Sequence, residues 1–205
     1  MNVVLKTMET EKQLDVATNA PRTLIVFALL GTLVCGVLYP AVTTLTGGAL
    51  FPAQAQGSLI SKNGVVIGSS LIAQPFSAAQ YFQARPSAAS FNPLSASGSN
   101  LAPSNPALRE RMTATSAEIS AREKRDAAAI PADLISASGS GLDPHISPAA
   151  AYFQADRIAS ARGLSVAQVQ VQIDRHTEAP TFGVFGQARV NVLLLNLSLD
   201  QSQAE

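Results

Sequence analysis

TLIVFALLGTLVCGVLYPAVTTL, residues Thr23 to Leu45, decides the fold of this chain. The stretch carries no charged side chain. As a helix it would extend roughly 34 Å at 1.5 Å per residue, enough to cross the hydrocarbon core of a bilayer. No second stretch of this kind follows. The expected architecture is a single N-terminal transmembrane helix over 23–45 and one α/β or α+β extracytoplasmic domain over 46–205. A cleaved secretory signal is the rival reading, because Lys6, Lys12 and Arg22 precede the run and Ala53-Gln54-Ala55 offers a cleavage site. Signal cores run about 7–15 residues and end close to that site. This run is longer and stops well short of Ala55, so the anchor is preferred. Pro40 is compatible with a membrane helix, since neighbouring groups can satisfy the freed carbonyl. Gly31 and Gly36 leave a shallow strip for another helix, one residue wider than the GxxxG spacing. A single span cannot enclose an ion path, so a transport role has to work through partners.

Orientation follows from Lys and Arg alone. Lys6, Lys12 and Arg22 lie before the span, and the other side has no basic residue until Lys62. Residues 1–22 are therefore expected in the cytoplasm and the large domain outside it, in the periplasm of a bacterium with two membranes. From Phe51 onward 155 residues remain, enough to bury roughly two-thirds of their unfolded surface in one core. Acidic and basic residues balance at 14 each over the whole chain. A neutral domain has no net field to attract nucleic acid. The sole cysteine, Cys35, lies within the span as a small apolar packing residue, so no disulfide can form in the domain.

Local signals come in a readable order. Leu59-Ile60 and Val65-Val66-Ile67 flank Lys62-Asn63-Gly64, which predicts a hairpin, extended by Ser69 to Ile72. Residues 85–106 are rich in Ser, Ala, Asn and Pro, a composition that reads as a mobile loop. Asn105-Pro106 opens a helix with Leu108, Met112, Thr115 and Ile119 on one face and Glu118 within reach of Arg122. The cluster Arg122 to Asp126 reads as a solvated face. A short strand is expected at Asp133 to Ile135, then a small-residue loop, Ser136 to Gly141. Ser147-Pro148 starts a second helix ending at Gly163, and Ser165 caps a third that runs to about His176. Val190 to Leu199 reads as a buried strand.

Chemistry has few places to sit. Ser140, Asp143 and His145 fall in one short stretch, but Gly139-Ser140-Gly141 does not match the G-x-S-x-G elbow. One segment rarely folds all three groups of a triad together. The phosphate-cradling pattern G-x-x-x-x-G-K-[ST] is absent. His145 and His176, with Asp143 and Glu178, lack paired metal-ligand spacing. Asp143 and His145 are expected to bond backbone near the Ser147 cap, and His176 to cap a helix exit. No catalytic and no metal residue is assigned.

The same segments carry a family likeness. Tyr39-Pro40 with Thr43-Thr44 closes the span, and Gly57-Ser58-Leu59-Ile60 opens the domain. Gly68-Ser69, Gln74, Phe76, Tyr81-Phe82 and Arg85-Pro86-Ser87-Ala88 follow, then Gly98-Ser99-Asn100-Leu101 and Ser104-Asn105-Pro106. The most specific parts are Ser136 to Asp143 and Ile146-Ser147-Pro148. Arg157-Ile158-Ala159, Ala161-Arg162, Val190-Asn191-Val192, Leu195-Asn196 and Leu199-Asp200 complete the set. In these motifs the chain resembles the C subunit of the bacterial high-affinity potassium-transporting P-type ATPase, the Kdp complex. Two departures are small: Ala96 to Asn100 stands where the family often has SGGSN, and Ser198 where alanine is common.

The resemblance implies an accessory role in ATP-driven potassium uptake, beside a channel-like subunit that passes potassium and a P-type catalytic subunit that hydrolyses ATP. This chain has no Asp-Lys-Thr-Gly phosphorylation motif of its own. The resemblance further implies that 85–106 is an ordered loop packed on a partner, and attaches a proposed effect on ATP affinity to a glutamine, here Gln154. No cofactor is expected to be held firmly, and ATP only through the complex. The expected topology puts Gln154 across the membrane from cytosolic ATP, so any such effect would have to be transmitted allosterically. Asn92, Asn100, Asn105, Asp143 and His145 are the candidates for partner contact, with the domain over the outer mouth of the channel-like subunit. An exported membrane-anchored hydrolase and an exported ligand- or metal-binding module are the alternatives.

Overall fold

The computed structural model describes residues 20–202, which divide after Gln56 into two units. Lys6, Lys12 and most of the expected cytoplasmic segment lie outside the described residues.

The first unit is a helix, α1, running Ala20–Leu50 over 31 residues, long and apolar enough to cross a membrane. It exceeds the 23–45 run at both ends, because Ala20, Pro21 and Arg22 form its first turn and Thr46 to Leu50 are uncharged. One wide π turn, Val34–Leu38, interrupts it, and the Tyr39 N–H reaches back to the Val34 carbonyl. The cause is Pro40, which lacks an N–H and whose ring would crowd the carbonyl one turn earlier. Thr43 and Thr46 turn their hydroxyls back onto carbonyls of the preceding turn, at 2.9 Å to Tyr39 and 2.7 Å to Val42. A short helix, α2 (Pro52–Ala55), follows.

The second unit begins with the expected hairpin, β1 (Leu59–Lys62) against β2 (Val65–Ser69), with a bulge between Ile60 and Ser61. Asn63 and Gly64 have φ of 53° and 78°, the left-handed pair that a tight two-residue turn demands. β2 stops at Ser69, whose hydroxyl donates to the Gly57 carbonyl at 2.7 Å and ties the hairpin root. The Ser70 N–H still reaches the Ser58 carbonyl at 3.1 Å, and Leu71 and Ile72 then leave the hairpin.

Residues 74–105 contain no strand and only a 3-10 turn at Pro93–Ser95. Helix α3 (Pro106–Glu123) starts where Asn105 and Pro106 predict, with the Asn105 side chain accepting from the Ala107 N–H. Of the four residues predicted to share a face, Ile119 is buried and Met112 is 36% exposed, so only the helix's far end enters the core. The Arg122 to Asp126 cluster is not a solvated face throughout. Glu123 is buried, and Arg125 lies over the Phe153 ring at 4.9 Å.

The expected strand at 133–135 is one helical turn, α4 (Ala132–Ile135). Then come β3 (His145–Ile146), α5 (Pro148–Arg162), α6 (Val166–Arg175), β4 (Thr177–Glu178), β5 (Arg189–Asn191) and α7 (Val192–Ser202). The caps of α5 and α6 fall on Ser147 and Ser165 as read, and Gly163 closes α5 at φ 67°. β3, β5 and β4 form an antiparallel sheet in that order.

The reading of Val190 to Leu199 as a strand is corrected: only Val190 and Asn191 of it are strand. Asn191 caps the new helix by accepting from the Leu194 N–H. Val192, Leu195, Asn196 and Leu199 are then buried at helical spacing. One core forms from these pieces, with Phe82, Ile158, Val169, Ile173, Leu195 and Leu199 fully enclosed.

Candidate functional site

Segment 79–85 has no strand partner, yet it threads the core and buries Phe82 completely. Its backbone polar groups must be satisfied some other way. Side chains on α5 and α7 do this. Gln154, Arg157 and Arg162 line one face of α5; Asn196 and Asp200 line one face of α7. The Asn196 amide accepts from the Phe82 N–H at 2.8 Å and donates to the Phe82 carbonyl at 3.0 Å. Gln154 treats Gln83 the same way, at 2.9 and 3.2 Å. Arg157 donates to the carbonyls of Ala79 and Tyr81, and Arg162 to that of Gln80. Every carbonyl from Ala79 to Gln83 is thus taken by a side chain of α5 or α7.

Charges complete this clamp. Arg157 meets both Glu123 oxygens at 3.0 Å, with side chains only 9% and 1% exposed. Burial lowers the Arg157 pKa from its ordinary value, against the opposing pull of the Glu123 carboxylate. Arg162 pairs with Asp200 at 2.8 Å and lies over the Tyr81 ring, whose hydroxyl reaches the same carboxylate.

Gln154 therefore sits inside this clamp and is completely buried. Its carbonyl oxygen also accepts from Arg157, and its amide nitrogen also donates to Ala150.

The Ser136 to Asp143 loop forms a second polar cluster. Ser140 is exposed and accepts from the Leu142 N–H. Asp143 accepts from the His145 N–H at 3.0 Å and from Arg85 at 3.1 Å, with the His145 ring nitrogen 3.6 Å away. Burial opposes the charge on Asp143, but the His145 and Arg85 hydrogen bonds outweigh it and hold the carboxyl below the usual carboxylate range. Asp133 accepts from the Ser147 N–H at 2.7 Å. No hydrogen bond joins Ser140 to His145 among the described residues. His176 lies elsewhere, its ring nitrogen 2.9 Å from the Gln172 carbonyl at the end of α6. No cluster of three or more His, Cys, Asp or Glu suited to a metal occurs among the described residues.

Segment 85–106 packs against this loop. Ser87 donates to the Gly141 carbonyl at 2.6 Å, and the Ser138 N–H reaches the Pro86 carbonyl. A Cβ at Gly141 would lie 2.8 Å from both the Ala89 Cβ and the Ser97 carbonyl oxygen. Contacts within the chain thus hold a segment whose composition suggests mobility. Asn92 caps the 3-10 turn and Asn105 caps α3. Asn100 is exposed with φ 49°. The clamp residues Arg162, Asn196 and Asp200 have no role in the sequence reading. Their partners are remote along the chain, and only their place in the shared motifs marks them.

An apolar helix near the amino terminus joined to a mixed helix and strand domain fits the class of membrane-anchored transport subunits. A family model described as KdpC, the K+-transporting ATPase c chain, matches residues 21–201. A relative in Shewanella putrefaciens is 60% identical over 168 residues, covering 82% of this chain and 84% of its own. Relatives in Herminiimonas arsenicoxydans and Janthinobacterium sp. are 52% and 50% identical over 181 residues, covering 87% of this chain and 95% of theirs. All three carry the name potassium-transporting ATPase KdpC subunit. The chain belongs to the KdpC family and is a subunit of a potassium-transporting ATPase.

Proposed function

We propose that the chain is a non-catalytic subunit that stabilises assembly of the transport complex from the extracytoplasmic side. One observation carries this reading: Gln154, Ser140 and Asp143, the polar groups that chemistry would need, are engaged by other groups of the chain itself. Gln154 binds Gln83, Ser140 binds the Leu142 N–H, and Asp143 binds the His145 N–H and Arg85. Orientation rests on Lys6, Lys12 and Arg22 preceding α1 with no basic residue between it and Lys62. The partners are the channel-like subunit and the ATP-hydrolysing subunit, with lipid around α1. Asn92 and Asn100 are the exposed candidates for partner contact, and the side-chain oxygens of Asn92 and Asn105 also serve as helix caps.

Gln154 acts in this reading as a positioning residue. Reaching a nucleotide would require breaking the clamp, so an effect of Gln154 on ATP affinity passes through segment 79–85. The test is co-purification of the full chain with the other subunits in detergent, together with a reporter active only after export fused at Glu205. A cytosolic reporter signal refutes the placement. Failure to co-purify refutes the assembly role. Saturable ATP binding by the full chain alone, abolished by Gln154→Glu without loss of fold, refutes the positioning role.

A further inference from the structure

The turn joining β4 to β5 exposes an apolar tip that stays outside the core formed by the described residues. Residues 179–188 (APTFGVFGQA) contain no charge. Phe182, Val184 and Phe185 are 90%, 77% and 68% exposed. The tip is rigidly built: Thr181 and Phe185 exchange both backbone hydrogen bonds at 2.9 Å, and the Gly183 N–H closes on the Pro180 carbonyl. Phe182 holds φ 55°, a left-handed conformation uncommon for an aromatic residue, and Gly183 and Gly186 after it also turn left.

We infer that this tip is a docking anchor that inserts into an apolar pocket on another subunit of the same transport complex. The inference deepens the assembly role proposed above and rests on it. The segments outside the described residues suit this tip poorly by composition: Gln203-Ala204-Glu205 is polar, and residues 1–19 carry Lys6, Glu9, Glu11, Lys12 and Asp15.

A lipid surface fits less well. Segments that rest among headgroups set Trp, Phe or Leu beside Lys or Arg, and no Lys or Arg lies between His176 and Arg189 to meet the headgroup charge. Arg189 itself is paired with Glu178 at 2.9 Å at the base of the turn. An uncharged aromatic centre with an ion pair at its edge is the layout of a protein–protein hot spot and its rim. Because the turn is already closed, docking would cost little ordering entropy.

The test places a photo-crosslinking amino acid at Phe182 in the full chain, co-expressed with the other subunits, and identifies the adduct by peptide mass. An adduct on one of those subunits is expected. A lipid adduct, a second copy of this chain, or no adduct despite co-purification overturns the inference and leaves the assembly role standing. A parent chain that does not co-purify overturns both. In parallel, Phe182→Asn with Phe185→Thr suits the turn geometry while removing the apolar surface. Retention in the complex should fall by about tenfold or more with the unfolding midpoint of the chain unchanged. Unaltered retention, or a lowered midpoint, refutes docking as the role of these side chains.

Discussion

Replacing Gln154 by leucine removes the amide but keeps nearly the same volume, so little cavity cost enters. The Gln83 N–H and carbonyl each lose their side-chain partner, and Arg157 loses one acceptor. An unsatisfied buried group costs about 1–3 kcal/mol, and a hydrogen bond to a charged group is worth about 1.5–3 kcal/mol. Gln83 is only partly buried, so water takes up some of its loss. Arg157 keeps Glu123 and the Tyr81 carbonyl. The lower ends of those ranges give roughly 3–4 kcal/mol for the substitution. In a domain of this size that lowers the unfolding midpoint by roughly 10 °C. Thermal unfolding of the purified full chain in detergent, followed by circular dichroism, measures it. Asn196→Leu should behave alike, since Asn196 holds Phe82 in the same way. The double variant should lose less than the sum, because both changes release one segment. A Gln154→Leu chain that melts within about 2 °C of the parent refutes the clamp.

Other consequences follow from the same packing. Glu123→Gln strips the counter-charge from a nearly buried Arg157 and should cost about 3 kcal/mol, read by urea unfolding. Gly141→Ala forces a Cβ into the Ala89 and Ser97 contacts at φ 71°. It should destabilise by about 2 kcal/mol or more and speed proteolysis within 85–106; an unchanged digest would show that the contact does not hold the loop. Asp143 has a folded pKa below its ordinary value. Its contribution is therefore complete above the unfolded value of about 3.9 and disappears as pH falls through the folded one. The difference in urea midpoint between the parent and Asp143→Asn should be constant at neutral pH and close below about pH 4.

Elements whose signals are local were legible in the residues. Pro106, Pro148, Ser147, Ser165 and Gly163 mark helix ends because capping is settled within one turn of chain. Asn63-Gly64 marks the hairpin for the same reason. The misreadings have two causes, a local signal masked by a competing one and a partner remote along the chain. Val190 to Leu199 is apolar in either reading, and the strand preference of Val190 and Val192 hid the Asn191 cap and the helical spacing behind it. Glu123 looks like one member of a charged run until Arg157 approaches from α5.

Taken alone, the order of residues determined an apolar helix of spanning length, the positions of most caps, and membership of a family of transport subunits. Each depends on neighbours along the chain or on motifs read in register. Tertiary structure decided what Gln154, Asn196, Arg157 and Arg162 are for. Their partners at 79–83 lie 71 or more residues away, and a backbone segment without a strand neighbour declares which side chains it needs only once the helices have packed around it. The same holds for Phe182 and Phe185, whose exposure is decided by the fold and not by their apolar side chains.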